Sequence, residues 1–150
     1  MNKGMDDAVW GPRILTILRI MIGLLFLEHG TQKLLGFPSP ANPGPALLSL
    51  MGIQAILELV GGGLIVLGLF TRPVAFILSG DMAVAYFMSH APASFFPILN
   101  RGEGAILYCF AFLYLAVAGG GAWSADRLRQ RESRPQRVTS ADAISARSPG

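Results

Sequence analysis

Cysteine is almost missing from this sequence. Cys109 is the one thiol in 150 residues, which excludes an intrachain disulfide, a cysteine-based zinc site and a cysteine-ligated iron–sulfur cluster. It stands inside an apolar stretch and reads as a packing residue. Charge is scarce as well: Asp, Glu, Lys and Arg make 14% of the chain against 52% hydrophobic residues, unusually apolar for a soluble domain. No glycine-rich nucleotide loop is present, because GGGLIVLG at 61–68 does not follow a strand in a βαβ unit and reads as helix packing. No nucleic-acid-binding motif accompanies the basic balance of 12 Lys and Arg over 9 Asp and Glu, so nucleic acid is not an expected partner.

What the chain does have is long apolar runs. The hydrocarbon layer is about 30 Å thick and a helix rises about 1.5 Å per residue, so a crossing needs roughly 20 mostly apolar residues. Four stretches approach this: 14–35, 46–70, 73–89 and 102–122, the third at the short limit. A soluble four-helix bundle is the rival, but its helices would each keep a polar face. AILYCFAFLYLAVA at 105–118 and LVGGGLIVLGLF at 59–70 carry no charge at any angle. A cleaved secretory signal fits poorly, since Asp6 and Asp7 spoil its basic region and no small-residue cleavage site follows. The expectation is an all-α, polytopic membrane four-helix bundle. It divides into an N-terminal segment 1–12, a four-helix domain 13–126, and a polar tail 127–150 that begins as a short helix and then becomes disordered.

Lysine and arginine in short loops stay on the cytoplasmic side. Lys3, Arg13, Arg72 and the arginines from Arg127 onward fall on one side of the four crossings, whereas the outer connections 36–45 and 90–101 hold few. Both termini are therefore expected in the cytoplasm of an inner-membrane protein, with Trp10 and Trp123 at the same interface.

Ionisable residues inside the spans are costly and normally face the bundle interior, a partner or water. On the first span Arg19, Gly23, Phe26, Gly30 and Lys33 recur at steps of four and three, which aligns them on one seam where glycine permits close approach. Gln54, Glu58, Gly61, Ile65 and Gly68 do the same on the second. Counting from the cytoplasmic ends puts Arg19, Asp81 and Glu58 at roughly 9, 12 and 16 Å, an inner group of neighbours joined by Gln54 in an intramembrane polar core. The same count puts His29, Lys33, His90 and Glu103 at roughly 24 to 30 Å, an outer polar layer with Lys33 meeting Glu103. The outer layer favours ligand binding and the inner group favours structure. A bis-histidine haem between His29 and His90 is a weaker possibility, and no metal site is expected.

Three blocks carry a family resemblance: LRIMIGLLFLEHGTQKL at 18–34, ILELVGGGLIVLGLFTRPVA at 56–75 and NRGEGAILYCFAFLYLAVAGGGAWSADRL at 100–128. In order and spacing they resemble the bacterial DoxX family over residues 13–128. The resemblance implies a small inner-membrane protein of a family named for a subunit linked to a terminal quinol oxidase and to thiosulfate:quinone oxidoreductase. It assigns no catalytic roles; the matching positions include Arg19, His29, Lys33, Glu58, Glu103 and Asp126. Three functions stay open: a quinone-interacting accessory subunit of a redox assembly, a small transporter or proton-relay protein, and a non-catalytic organiser. The first leads, with quinone as the candidate ligand, the outer layer as its site, and the lipid bilayer, redox-complex subunits or further copies of the chain as partners.

Overall fold

The computed structural model describes residues 3–39 and 44–133, and every element among them is helical. The centre of the proline-rich outer loop and the tail beyond 133, including its expected disorder, lie outside the described residues. Helix α1 spans Lys3–Leu35. A second rod is built from α2 (Leu50–Ile56), a π-helical turn (Leu57–Gly61) and α3 (Gly62–Leu67). The third is α4 (Thr71–Ala85) continued by a π-helical turn (Tyr86–His90). A short α5 (Pro97–Asn100) leads into α6 (Glu103–Ala118), and α7 (Ala125–Glu132) follows.

The rods are delimited by local chemistry. The Ser49 hydroxyl accepts the Gly52 N–H at 3.1 Å, which starts α2 four residues after the expected beginning of that span. Gly68 at φ 68° ends α3, and Gly119 at φ 85° ends α6 before the expected 122. Helix α1 runs far ahead of its expected start at Ile14 because Pro12 does not stop it. The carbonyl of Pro12 accepts the Thr16 hydroxyl of the same helix at 2.9 Å and, from outside it, the Ala122 N–H at 3.0 Å.

Helix α1 packs along the second rod and α4 along α6, and the two pairs close on a shared core. That core is Phe26, Ile65, Ala75, Leu78, Met82, Phe112 and Leu115, with Phe26 and Phe112 edge-on at 4.9 Å between centroids. The outside is more apolar than the inside. Ile14, Ile17, Leu24, Leu25, Val60, Phe76, Phe110 and Val117 are exposed, while Arg19 and Glu58 are 1% and 3% exposed. In water this would leave a large sticky surface around buried charge, and in hydrocarbon it is the stable arrangement. Ala8–Leu35 and Leu50–Leu67 are each long and apolar enough to cross a membrane.

Without a hydrophobic gain between helices in lipid, close packing and polar contacts must hold the rods together. Glycine supplies the first. A methyl group on Gly23 would meet Val66 Cγ2 at 2.9 Å, one on Gly62 the Leu27 Cα at 2.9 Å, and one on Gly30 the Leu59 Cα at 2.7 Å. These contacts define one antiparallel register along α1 and the second rod. Continued, it sets Arg19 level with Phe70.

Candidate functional site

The seam of α1 carries its two cations to two separate polar layers, with the Phe26 core between them. At one end Arg19 is fully buried and spends its guanidinium on main-chain carbonyls. Its Nε donates to Gly120 O at 2.9 Å, Nη1 to Val66 O at 2.6 Å and to Ile65 O, and Nη2 to Trp123 O at 2.8 Å. The last carbonyls of a helix have no partner within the helix and carry the negative end of its dipole. Arg19 thus caps α3 and ties it to α1 and to the turn after α6. Expected among Asp81 and Glu58, it bonds neither, because the second rod ends level with it and offers carbonyls there instead.

Beside it, the Asp126 carboxylate accepts the Phe70 and Thr71 N–H groups, both at 2.8 Å, and so caps α4. Partial burial pushes the Asp126 carboxyl up. The hydrogen bonds from Thr71 and Phe70 and the charge of Arg129 outweigh this and hold it below the usual carboxylate range. Ser124 caps the start of α7, its hydroxyl accepting the Arg127 N–H at 3.3 Å.

The other layer assembles three charged groups from three rods. Lys33 Nζ donates to Glu58 Oε1 at 2.7 Å, and this is the one ion pair among the described residues. Lys33 was expected to meet Glu103. Counting each rod from its own end sets Lys33 more than about 10 Å above Glu58, whereas the glycine register makes it the counterpart of Ile56, two residues or about 3 Å from Glu58.

The third member is Asp81. A methyl group on Gly61 would meet Leu78 Cδ2 at 2.7 Å, so these positions face each other across the second and third rods. One turn further along both antiparallel rods places Glu58 opposite Asp81. Glu58 Oε2 and Asp81 Oδ2 are both buried and have no hydrogen-bond partner. Glu58 also lies in the π-helical turn Leu57–Gly61, a local widening common at functional sites. Gln54, one turn away, is half-buried.

The remaining members of the expected outer layer stand apart from this cluster. His29 is exposed and lies edge-on to Tyr108 of α6 at 6.1 Å. His90 shares a 2.9 Å hydrogen bond between Nδ1 and Asn100 O and stacks on Tyr86. Glu103 is exposed in the first turn of α6, where a negative charge suits the helix dipole. Tyr108, which packs on Phe26 and Phe112, was not singled out in the sequence because an aromatic in an apolar run carries no positional signal. Asn100 is buried and its side chain bonds Ser94 O at 2.8 Å and Gly102 N–H at 2.7 Å. No group of three or more metal-binding side chains occurs among the described residues.

Apolar helices around buried, paired charge define a helical integral membrane protein with a polar interior site. The chain belongs to the DoxX family, whose sequence profile matches residues 14–91. It is 43% identical over 120 residues to an uncharacterized protein of Haemophilus influenzae, covering 77% of this chain and 90% of that one. It is 30% identical to the inner membrane protein YphA of Escherichia coli, covering 81% and 94% of the two chains. An uncharacterized membrane protein of Mycobacterium tuberculosis, Rv3486, is 28% identical over 78% of this chain and 82% of its own. No solved structure matches the chain.

Proposed function

We propose that this protein is an accessory subunit of an inner-membrane assembly whose Lys33–Glu58–Asp81 cluster takes up and releases a proton. The carrying observation is the pair of buried carboxylate oxygens, Glu58 Oε2 and Asp81 Oδ2, left without a donor beside a single ammonium. Two carboxyls against one cation leave an odd charge inside a low-dielectric bundle, and a bound proton neutralises it. Lys33 keeps 22% of its side chain exposed, which gives the cluster a route to the end of the bundle on its own side. Toward the Arg19 layer the Phe26–Phe112 core closes the interior, so the cluster exchanges with one end and does not conduct across. This favours proton handling for a partner over transport. The arginine-rich end faces the cytoplasm on the positive-inside rule, and the cluster then opens outward.

The test is a proton inventory on detergent-solubilised protein, by acid–base titration over the range in which wild type and variant both stay folded. Wild type should bind one proton more per chain than Asp81→Asn. Equal inventories mean that the carboxyls are fixed structural charges.

A second reading, contact with a quinone ring of a redox assembly, is favoured by His29, which presents an exposed imidazole beside Tyr108 and next to the cluster's cation. Quinone extracted from protein purified out of native membranes should then be stoichiometric in wild type and lost in His29→Leu. Its absence from wild type leaves the proton-handling reading alone.

A further inference from the structure

At the opposite end from the cluster, an open groove of about 1100 Å³ lies between the start of α4, the glycine turn after α6, and α7. The lining combines apolar Leu15, Pro73 and Tyr114 with basic Arg72, Arg127 and Arg129. None of the three arginines forms an ion pair among the described residues. The one acid in the groove, Asp126, already has both oxygens committed to the Phe70 and Thr71 N–H groups. Two of the arginines are positioned by the protein. The Arg72 side chain lies against Gly119, where an added methyl would be 3.3 Å from its Nε, and Arg129 sits 5.0 Å over the Phe70 ring. Both remain exposed, with donors free for an anion.

We infer that this groove binds one anionic phospholipid, its phosphate held by Arg72, Arg127 and Arg129 and its acyl chains laid along Leu15, Pro73 and Tyr114. Guanidinium groups pair with phosphate oxygens in a fork geometry that suits a phosphodiester. Exposed Trp10 and Trp123 lie at the same end of the bundle, as befits the headgroup level of a bilayer. The apolar lining beside the arginines distinguishes a lipid from a free anion, which would use only the arginines.

Native mass spectrometry of the full chain, delipidated in detergent and titrated with phosphatidylglycerol or phosphatidylcholine, tests the site. One phosphatidylglycerol should bind in preference to phosphatidylcholine. An arginine near the headgroups contributes on the order of 1 kcal/mol, so each Arg→Gln change should weaken phosphatidylglycerol binding about fivefold. Arg72→Lys, which keeps the charge, should retain most of it. Arg13→Gln, beside Trp123 and not among the residues lining the groove, should change nothing. Helicity by circular dichroism confirms that each variant is folded. Equal binding of the two lipids, or unchanged phosphatidylglycerol binding in a folded Arg72→Gln/Arg127→Gln/Arg129→Gln variant, overturns the inference. Displacement by millimolar inorganic phosphate also overturns it, since it assigns the arginines to a free anion.

Discussion

A guanidinium shared among four carbonyls has no substitute in an ammonium, which reaches as a point charge rather than as a planar fork. Arg19→Met leaves buried carbonyls at the end of α3 without donors, at about 1 to 3 kcal/mol for each that water cannot reach. Both Arg19→Met and Arg19→Lys should lower the melting temperature in detergent, and the lysine should rescue little. Full rescue by lysine means that charge alone matters there. Asp126 adds a pH dependence. Its folded-state affinity for protons is depressed, so its contribution to stability is present above the ordinary carboxylate range and fades as pH falls below about 4. Stability of Asp126→Asn against pH should lack that acid-side loss, and a parallel curve for variant and wild type contradicts the cap. That Arg19 and Glu58 are buried was legible in the seam spacing, since a charge among glycines on an apolar helix has to face inward. Their partners were not, because carbonyls are invisible to a search for opposite charges.

Among the elements, the paired seams of α1 and the second rod were readable from glycine spacing, and Gly23, Gly30 and Gly61 all lie at close contacts. The register between the seams was not. It depends on where each rod begins relative to its neighbour, and α1 runs through Pro12 to begin at Lys3. The π-helical turns at Glu58 and at Tyr86–His90 are also absent from any 3.6-residue pattern. The register makes a sharp prediction. A methyl on Gly30 would collide with the backbone of Leu59 and Glu58, and backbone cannot step aside, whereas Gly63 has nothing within 4 Å of an added methyl. Gly30→Ala should therefore cost about 1 to 3 kcal/mol and Gly63→Ala should be neutral or gain a few tenths, as read by thermal melts in one detergent. Similar effects for the two would mean that the helices are not in contact as described.

At the scale of the whole molecule, two polar layers are separated by an apolar core, and the arginines of the described residues, Arg101 apart, lie toward the end away from Lys33. The positive-inside rule predicts that this arginine-rich end faces the cytoplasm. In a Cys109→Ala background, Ala93→Cys should react with a membrane-impermeant maleimide on intact cells and Gln130→Cys only after permeabilisation. Reaction of both from the same side contradicts the bundle's orientation. The one-sided cluster is the centre of the account, and infrared spectroscopy of the protein in lipid bilayers reads it most directly. A protonated carboxyl gives a carbonyl stretch distinct from carboxylate bands, and it shifts on exchange into deuterium oxide when the proton is accessible. Wild type should show such a band, Asp81→Asn and Glu58→Gln should each remove or displace it, and Glu103→Gln should leave it in place. A wild-type spectrum without an exchangeable carboxyl band, or a band untouched by both cluster substitutions, would contradict proton binding at Lys33–Glu58–Asp81.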